Sequence, residues 1–375
     1  MAASRFFRFA HVLPFWASLI LIPAMWLSAV WGGWAIFLVY LCSWVLFSLL
    51  DLVFGLDNRN LDPATPEENL IWYRIVTWVW PPLQIATVFG VIGFAVRSDL
   101  ALWELVAISA GLGIAAGTVG IVYAHELLHQ SSAFERKLGD ILLASVMYGH
   151  FRSEHLLVHH RYVGTPRDAV TARYGEGFHR FFLRVLRQSL ASAWQAEASK
   201  LARAKRSVWH RSNPFWRYGL LQTGFLIFAW VVAGGLGLVL YLIHAFVAIW
   251  QLELVNYMEH YGLTRRHLGD GKYEPVQPRH SWNASHRATN WLLINLQRHS
   301  DHHGRPDRRF PLLQTYSPEE APQLPYGYAV MGVLACIPPL WRRRMNPRVR
   351  AWRARHYPDI KDWTPYKTGT LPMPR

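Results

Sequence analysis

The chain carries eighteen histidines, and nine of them fall into three tight groups and one single position. His125 and His129 sit in His125-Glu126-Leu127-Leu128-His129. His155, His159 and His160 follow Glu154. His260 ends Asn256-Tyr257-Met258-Glu259-His260. His299, His302 and His303 flank Ser300 and Asp301. The spacings are those of helix neighbours, which put imidazoles on one face where they can converge on an ion. Nine nitrogens exceed the needs of one ion and suit two metals with about four or five nitrogens each. Imidazole serves iron, copper, zinc and nickel alike, so ligand type leaves the metal open. The first group also satisfies His-Glu-x-x-His, the pattern of a zinc metalloprotease with Glu126 as base.

A ligating imidazole normally donates its outer N–H to a carboxylate or carbonyl. Glu126, Glu154, Glu259 and Asp301 each neighbour one of these histidines, and Asp168 and Asn256 are further candidates for that supporting layer.

Long apolar runs must position these groups. Six segments approach the length of about 20 residues that a bilayer-spanning helix needs. They are Phe9–Val30, Trp34–Phe54, Ile71–Val96, Leu100–Ala124, Arg217–Gly235 and Leu238–Val255. Gly234, Gly235 and Gly237 suit a chain reversal between the last two, and Pro81 with Pro82 predicts a kink or break in the third. The histidine groups lie just beyond span ends. The predicted fold is therefore an all-α integral membrane protein with six transmembrane helices and a helical cap that holds the histidines.

The formal net charge is +15, and the mean hydropathy of +0.08 averages apolar spans with Arg- and His-rich segments. The basic residues border apolar spans, so the positive-inside rule accounts for them without nucleic acid. Arg5 and Arg8 precede the first span, and the segments after the fourth and sixth spans are basic. This places both termini and the histidines in the cytoplasm, with residues 1–315 as the membrane domain and 316–375 as a basic extension. Arg342, Arg343 and Arg344 suit contact with anionic lipid. Only two cysteines occur, Cys42 and Cys336. A disulfide scaffold, a zinc ribbon and a built-in iron–sulfur or rubredoxin centre are thereby excluded.

These boxes resemble those of the membrane alkane 1-monooxygenase family, relatives of xylene monooxygenases and of the fatty-acid desaturase and hydroxylase superfamily. The sharpest matches are the third group with its preceding Leu296-Gln297-Arg298 and the segment around Asn256, Tyr257, Glu259, His260, Tyr261 and Gly262. Asp51 to Asp57, and Thr165-Pro166-Arg167-Asp168 running to Arg173, also resemble the family. The sequence departs from it at Val158, where glycine is usual, at Gln130, where lysine is common, and at Ala169, where proline is frequent. The resemblance implies two non-haem irons held by all nine histidines. It implies O2-dependent hydroxylation of an alkane, most readily at the terminal methyl, in a bacterial inner membrane. It also implies a rubredoxin or ferredoxin-type electron donor with its reductase. Arg136, Lys137, Arg152, Arg161, Arg305, Arg308 and Arg309 lie near the proposed ligands and suggest a positive rim where an acidic donor would dock. Trp44, Phe47 and Leu50 recur at i, i+3, i+6 on the second span and suggest the wall of a hydrophobic substrate route. The alternatives are a fatty-acid or lipid desaturase or hydroxylase using the same centre, an intramembrane zinc metalloprotease, and a metal-handling transporter.

Overall fold

The computed structural model describes residues 11–374. Arg5, Arg8 and the first two residues of the first expected span lie outside them. Among the described residues, five helical segments are long and apolar enough to cross a membrane: α1 (Leu13–Trp31), α2 (Gly33–Phe54), α3 (Glu67–Ala95), α4 (Leu102–Leu128) and α8 (Phe215–His260). Between α4 and α8 lie α5 (Ala133–Ser145), a short broken helix α6 over residues 151–162, and α7 (Phe178–Arg203). After α8 come α9 (Arg287–Leu292), α10 (His299–Gly304), α11 (Tyr328–Ala335) and α12 (Pro338–His356). One departure from an all-helical chain is a small hairpin of β1 (His267–Gly269) and β2 (Lys272–Tyr273). Its loop is Asp270-Gly271, and both residues have positive φ, as a tight type I′ turn requires.

Solvent exposure separates the helices by role. In α4, 83% of the apolar window is buried, against 28% in α2 and in α8. Leu220, Ile227, Trp230, Val231, Val239 and Phe246 of α8 are all exposed. So continuous an apolar surface is what a helix presents to lipid rather than to water.

The expected fifth and sixth spans fall within the 46 residues of α8, which is interrupted at Ala233 and Gly234. Phe89 of α3 shows what the interruption does. Its ring lies 5.9 Å from Phe225, 4.6 Å from Phe228 and 5.3 Å from Tyr241. In an unbroken helix Phe225 and Tyr241 would be about 24 Å apart. The two arms of α8 therefore lie side by side. Gly234 has φ 62 and ψ −158, a conformation essentially confined to glycine.

Of the kink or break expected at the prolines, no break occurs. The helix within α3 runs without a break from Ile71 to Ala95 through Pro81 and Pro82. Neighbouring helices enclose Trp80 and Pro81, and this packing holds the segment helical despite the lost hydrogen bonds.

Polar staples attach the cap to the spans. Asp51, near the end of α2, accepts hydrogen bonds from the N–H groups of Ala288 and Thr289 at 2.7 and 3.0 Å and from the Thr289 hydroxyl at 2.8 Å. Gln297 donates to the same hydroxyl at 2.9 Å. Arg298 is buried and donates to the carbonyls of Leu313 and Arg59 at 2.6 and 3.0 Å. Buried polar groups tied in this way give α10 one position relative to the membrane helices. The C-terminal α12 packs on the end of α8, where Trp341 lies 5.1 Å from Tyr257 and Arg353 donates to the Gly262 carbonyl at 2.9 Å.

Candidate metal centre

All nine clustered histidines meet, in two groups. His125, His129, His155, His160 and His302 form one, and His159, His260, His299 and His303 form the other. Within each group the ligand atoms lie within 4.8 Å of one another. The boxes do not map one to one onto the groups, as a shared helix face would require. The second box sends His155 and His160 to one group and His159 to the other. The third box sends His302 to one and His299 with His303 to the other. The backbone explains the first division. Residues 155–159 form a π-turn, in which residues five apart become neighbours. His155 Nε2 and His160 Nε2 are 2.9 Å apart, while His159 turns aside.

The Nε2 atoms converge. The His129–His155 and His160–His302 separations are 3.0 and 3.1 Å. In the other group His299 Nε2 lies 3.1 Å from both His260 Nε2 and His303 Nε2. Adjacent nitrogens on one ion, each bonded at about 2.1 Å, would be separated by about 3 Å. Hydrogen bonds among the rings cannot replace an ion. Each neutral ring nitrogen has one proton or one lone pair, yet His155 Nε2 has two such neighbours. The donor set therefore fits a metal at the centre of each group.

Electrostatics prepare the rings for a cation. Burial pushes His129 down to about 3, and pushes His155, His160, His299, His302 and His303 well below the ordinary histidine range. They are neutral at pH 7, with lone pairs available for a metal.

The six residues expected behind the ligands divide. Asp168 Oδ2 accepts from His159 Nδ1–H at 3.1 Å and from the Thr171 hydroxyl at 2.6 Å. This turns the lone pair of His159 Nε2 toward the group. Burial pushes Asp168 up, but His159 and Thr171 pull it down further, so it stays ionised. Glu259 reaches the inner side: one oxygen lies 3.3 Å from His299 Nε2, and the other accepts from the Tyr328 hydroxyl at 2.8 Å. The side chains of the remaining four make no hydrogen bond to a clustered histidine among the described residues. Glu126 accepts from Gln130 and from the Phe310 N–H. Asp301 accepts from Arg308, Tyr316 and the Gln314 N–H. Asn256 donates to Glu253 at 3.1 Å. Glu154 is fully buried with neither oxygen paired, and burial pushes it well up, so it is neutral. Successive residues on a helix point about 100° apart, so a carboxylate beside a ligand histidine generally faces away from it. Glu253, which also accepts from the Tyr148 hydroxyl at 2.8 Å, was not anticipated. Its place seven residues before His260, on the same helix face, is the signal that could have found it.

The basic rim also divides. Arg309 is buried and forks onto Glu67 and Glu135. Arg308 clasps Asp301 at 2.7 and 2.6 Å, Arg152 pairs with Asp140, and Arg136 donates to the Gln130 carbonyl. These four are internal struts rather than free docking charges. Lys137, Arg161 and Arg305 are exposed.

A slender cavity of about 40 Å³ lies between α2, α4, α8, α9 and α11. Trp44 lines it, together with Val122, Leu254, Met258 and Tyr328. Phe47 and Leu50 do not. Phe47 is buried in the helix core, and Leu50 packs against that core. The stripe loses its phase because residues Leu41–Leu46 form a π-turn.

Comparison with known proteins agrees with this architecture. Residues 98–335 match the family model for fatty acid desaturases. The chain is 42% identical to alkane 1-monooxygenase 1 of Pseudomonas aeruginosa over 311 residues, covering 82% of this chain and 81% of that one. It is 35% identical to the alkane 1-monooxygenase of Pseudomonas putida, covering 90% and 85%. It is 29% identical to the hydroxylase component of the xylene/toluene monooxygenase of Pseudomonas putida, covering 73% of each.

Proposed function

Because the chain belongs to the fatty acid desaturase family and, within it, to the membrane alkane 1-monooxygenases, we propose that it hydroxylates the terminal methyl of an alkane at a non-haem di-iron centre. One iron would be held by His125, His129, His155, His160 and His302, the other by His159, His260, His299 and His303. The observation that carries this reading is the convergence of nine imidazoles, seven buried and two (His129 and His160) half-buried, into groups of five and four beside a mostly apolar cavity.

When bound, the iron pair would supply the activation of O2. The balance is one alkane, one O2, two electrons and two protons giving one primary alcohol and one water. The protein's part is orientation and dryness. Asp168 fixes the tautomer of His159. Tyr328, on the cavity wall, bonds Glu259 and so connects that wall to the four-histidine group. With only two cysteines the chain holds no cysteine-ligated carrier of its own, which supports a separate donor of the rubredoxin or ferredoxin type. The paired arms of α8 support six spans, and the basic segments support a cytoplasmic metal site in a bacterial inner membrane.

A zinc protease is disfavoured because Glu126, its required base, is bonded to Gln130 and Phe310 away from the histidines. The family match keeps desaturation or hydroxylation of an acyl chain as the second reading. Elemental analysis and product mass spectrometry separate the readings. Purified protein should hold about two irons and, with a reductant system and O2, turn an alkane into a primary alcohol. One zinc and no iron in active protein would overturn the proposal. An alkene product from an acyl substrate would favour the second reading.

A further inference from the structure

The positive-inside rule calls for cations beside the spans, but not for several around one concavity. A groove of about 880 Å³ lies where the N-terminal half of α7 meets the last helical turn, α13 (Thr364–Thr368). Arg173, Arg180, Arg184, Arg187 and Lys367 line it, and Glu176 is the single carboxylate among its lining residues. Glu176 is already committed. It accepts from Arg184 Nε and Nη2 at 2.9 and 2.8 Å and from the Arg173 N–H at 3.0 Å. Arg184 also donates to the Ala169 carbonyl at 2.8 Å, so it is a strut of the groove floor. The side chains of Arg173, Arg180, Arg187 and Lys367 make no hydrogen bond and no ion pair among the described residues.

Arg173 is the inner member of the four. It is half-buried, and burial, with Arg184 beside it, pulls its pKa below the ordinary arginine value. It stays charged, because a guanidinium does not lose its proton in a protein. A Cβ on Gly369 would come within 2.9 Å of Arg173 Nη2, so the C-terminal segment presses on this side chain. Lys367 crosses Gly175, where an added Cβ would meet Lys367 Cε at 3.9 Å. Arg180 and Arg187 are exposed and two turns apart on one face of α7. Like charges held around one concavity repel, and an anion seated between them offsets that repulsion.

The border of the groove is apolar and adjoins the lipid-facing surface. Leu183, between Arg180 and Arg187, lines the groove and is 63% exposed. Its neighbour Phe182 lies 5.8 Å from Phe246, one of the exposed apolar residues of α8. At the start of α7, His179 Nε2 donates to the Cys336 carbonyl at 3.1 Å. Val333, Ile337 and Leu340, close to Cys336 in sequence, are exposed as well. Cations with an apolar border suit a phospholipid, whose phosphate takes the guanidinium forks while its acyl chains take the border. A soluble phosphate or an acidic protein would use the cations alone.

We propose that this groove binds the phosphate group of an anionic phospholipid, such as phosphatidylglycerol, from the leaflet on the histidine side of the membrane. Arg173 holds the phosphate from within, and Arg180, Arg187 and Lys367 close around it.

The test titrates full-length protein in detergent with short-chain phosphatidylglycerol bearing a fluorescent acyl tail, read by anisotropy, beside the matching phosphatidylcholine. Inorganic phosphate and glycerol phosphate are the competitors that separate a lipid from a soluble source. Wild type should bind phosphatidylglycerol in preference to phosphatidylcholine, with an affinity that falls as salt rises. Arg173→Gln and Arg187→Gln should each weaken phosphatidylglycerol about fivefold and leave phosphatidylcholine unchanged. Arg187 is exposed on a helix, so its variant decides the matter if Arg173→Gln folds poorly. Arg203→Gln, sixteen residues further along α7 and about 24 Å away, should change neither lipid. Equal binding of the two lipids, or equal losses in all three variants, overturns the site. Displacement by glycerol phosphate at the lipid's own concentration assigns the groove to a soluble anion and overturns the membrane reading. Unchanged lipid binding in Arg173→Gln and Arg187→Gln, with slower reduction by an acidic donor, gives the groove to the donor and overturns it too.

Discussion

At the scale of the residue, the division of the boxes has measurable consequences. His155 lies between two partners in the five-histidine group, and His159 belongs to the four-histidine group. His155→Ala and His159→Ala should each lower iron from about two to about one per chain, because each breaks a different site. Elemental analysis would contradict this assignment if one variant lost both irons and the other none. Asp168 acts through His159 rather than on substrate. Asp168→Asn keeps the shape but can present an N–H to the ring, favouring the wrong tautomer. Iron affinity should fall about 10–100-fold. A chelator-competition titration unchanged by the substitution would remove Asp168 from the metal's supporting layer.

At the scale of the element, the turn within α8 depends on one backbone conformation. A Cβ on Gly234 would meet nothing within 4 Å, so the cost of Gly234→Ala is purely conformational, about 1–3 kcal/mol. The neighbouring Gly235→Ala, whose Cβ would find only ordinary contact with Trp230 at 3.6 Å, is the matched control. Thermal unfolding in detergent should show a clear loss for the first and little for the second; equal effects would mean that packing rather than φ governs the turn. The π-turn in α2 turns Trp44 to the cavity, where its ring also stacks 6.5 Å from Trp250. Trp44 forms part of the wall of this small space. Trp44→Ala should extend the preferred alkane by a few methylenes, each worth about 0.8 kcal/mol once buried. A product profile that keeps its chain-length optimum would assign Trp44 to packing alone.

At the scale of the whole molecule, the chain carries a net charge of +15, yet little of the expected rim remains free, because Arg152, Arg308 and Arg309 are paired with carboxylates. Docking of an acidic donor should therefore respond to Lys137 and Arg161, which are exposed, rather than to Arg309, which is buried between two carboxylates. Stopped-flow reduction should slow as NaCl rises, because screening at 0.15 M acts over about 8 Å. Lys137→Glu with Arg161→Glu should slow it several-fold while iron content stays constant. Rates flat in salt and indifferent to both reversals would move the docking site elsewhere. The sequence by itself determined the apolar spans and the nine histidines, because span length and the helical repeat are local properties written in consecutive residues. The Gly-rich reversal before Leu238 was legible for the same reason. Which histidine joins which group was not, because it depends on a π-turn and on the approach of α10, held by Asp51, Gln297 and Arg298. Which of the expected carboxylates reach a clustered histidine was illegible for a related reason. Adjacency in sequence turns a side chain away on a helix, so Glu126 and Asp301 went to other partners, while Asp168 reached His159 through the loop that folds back after α6. Those pairings join residues distant along the chain, and only the packed tertiary structure brings them within hydrogen-bonding range.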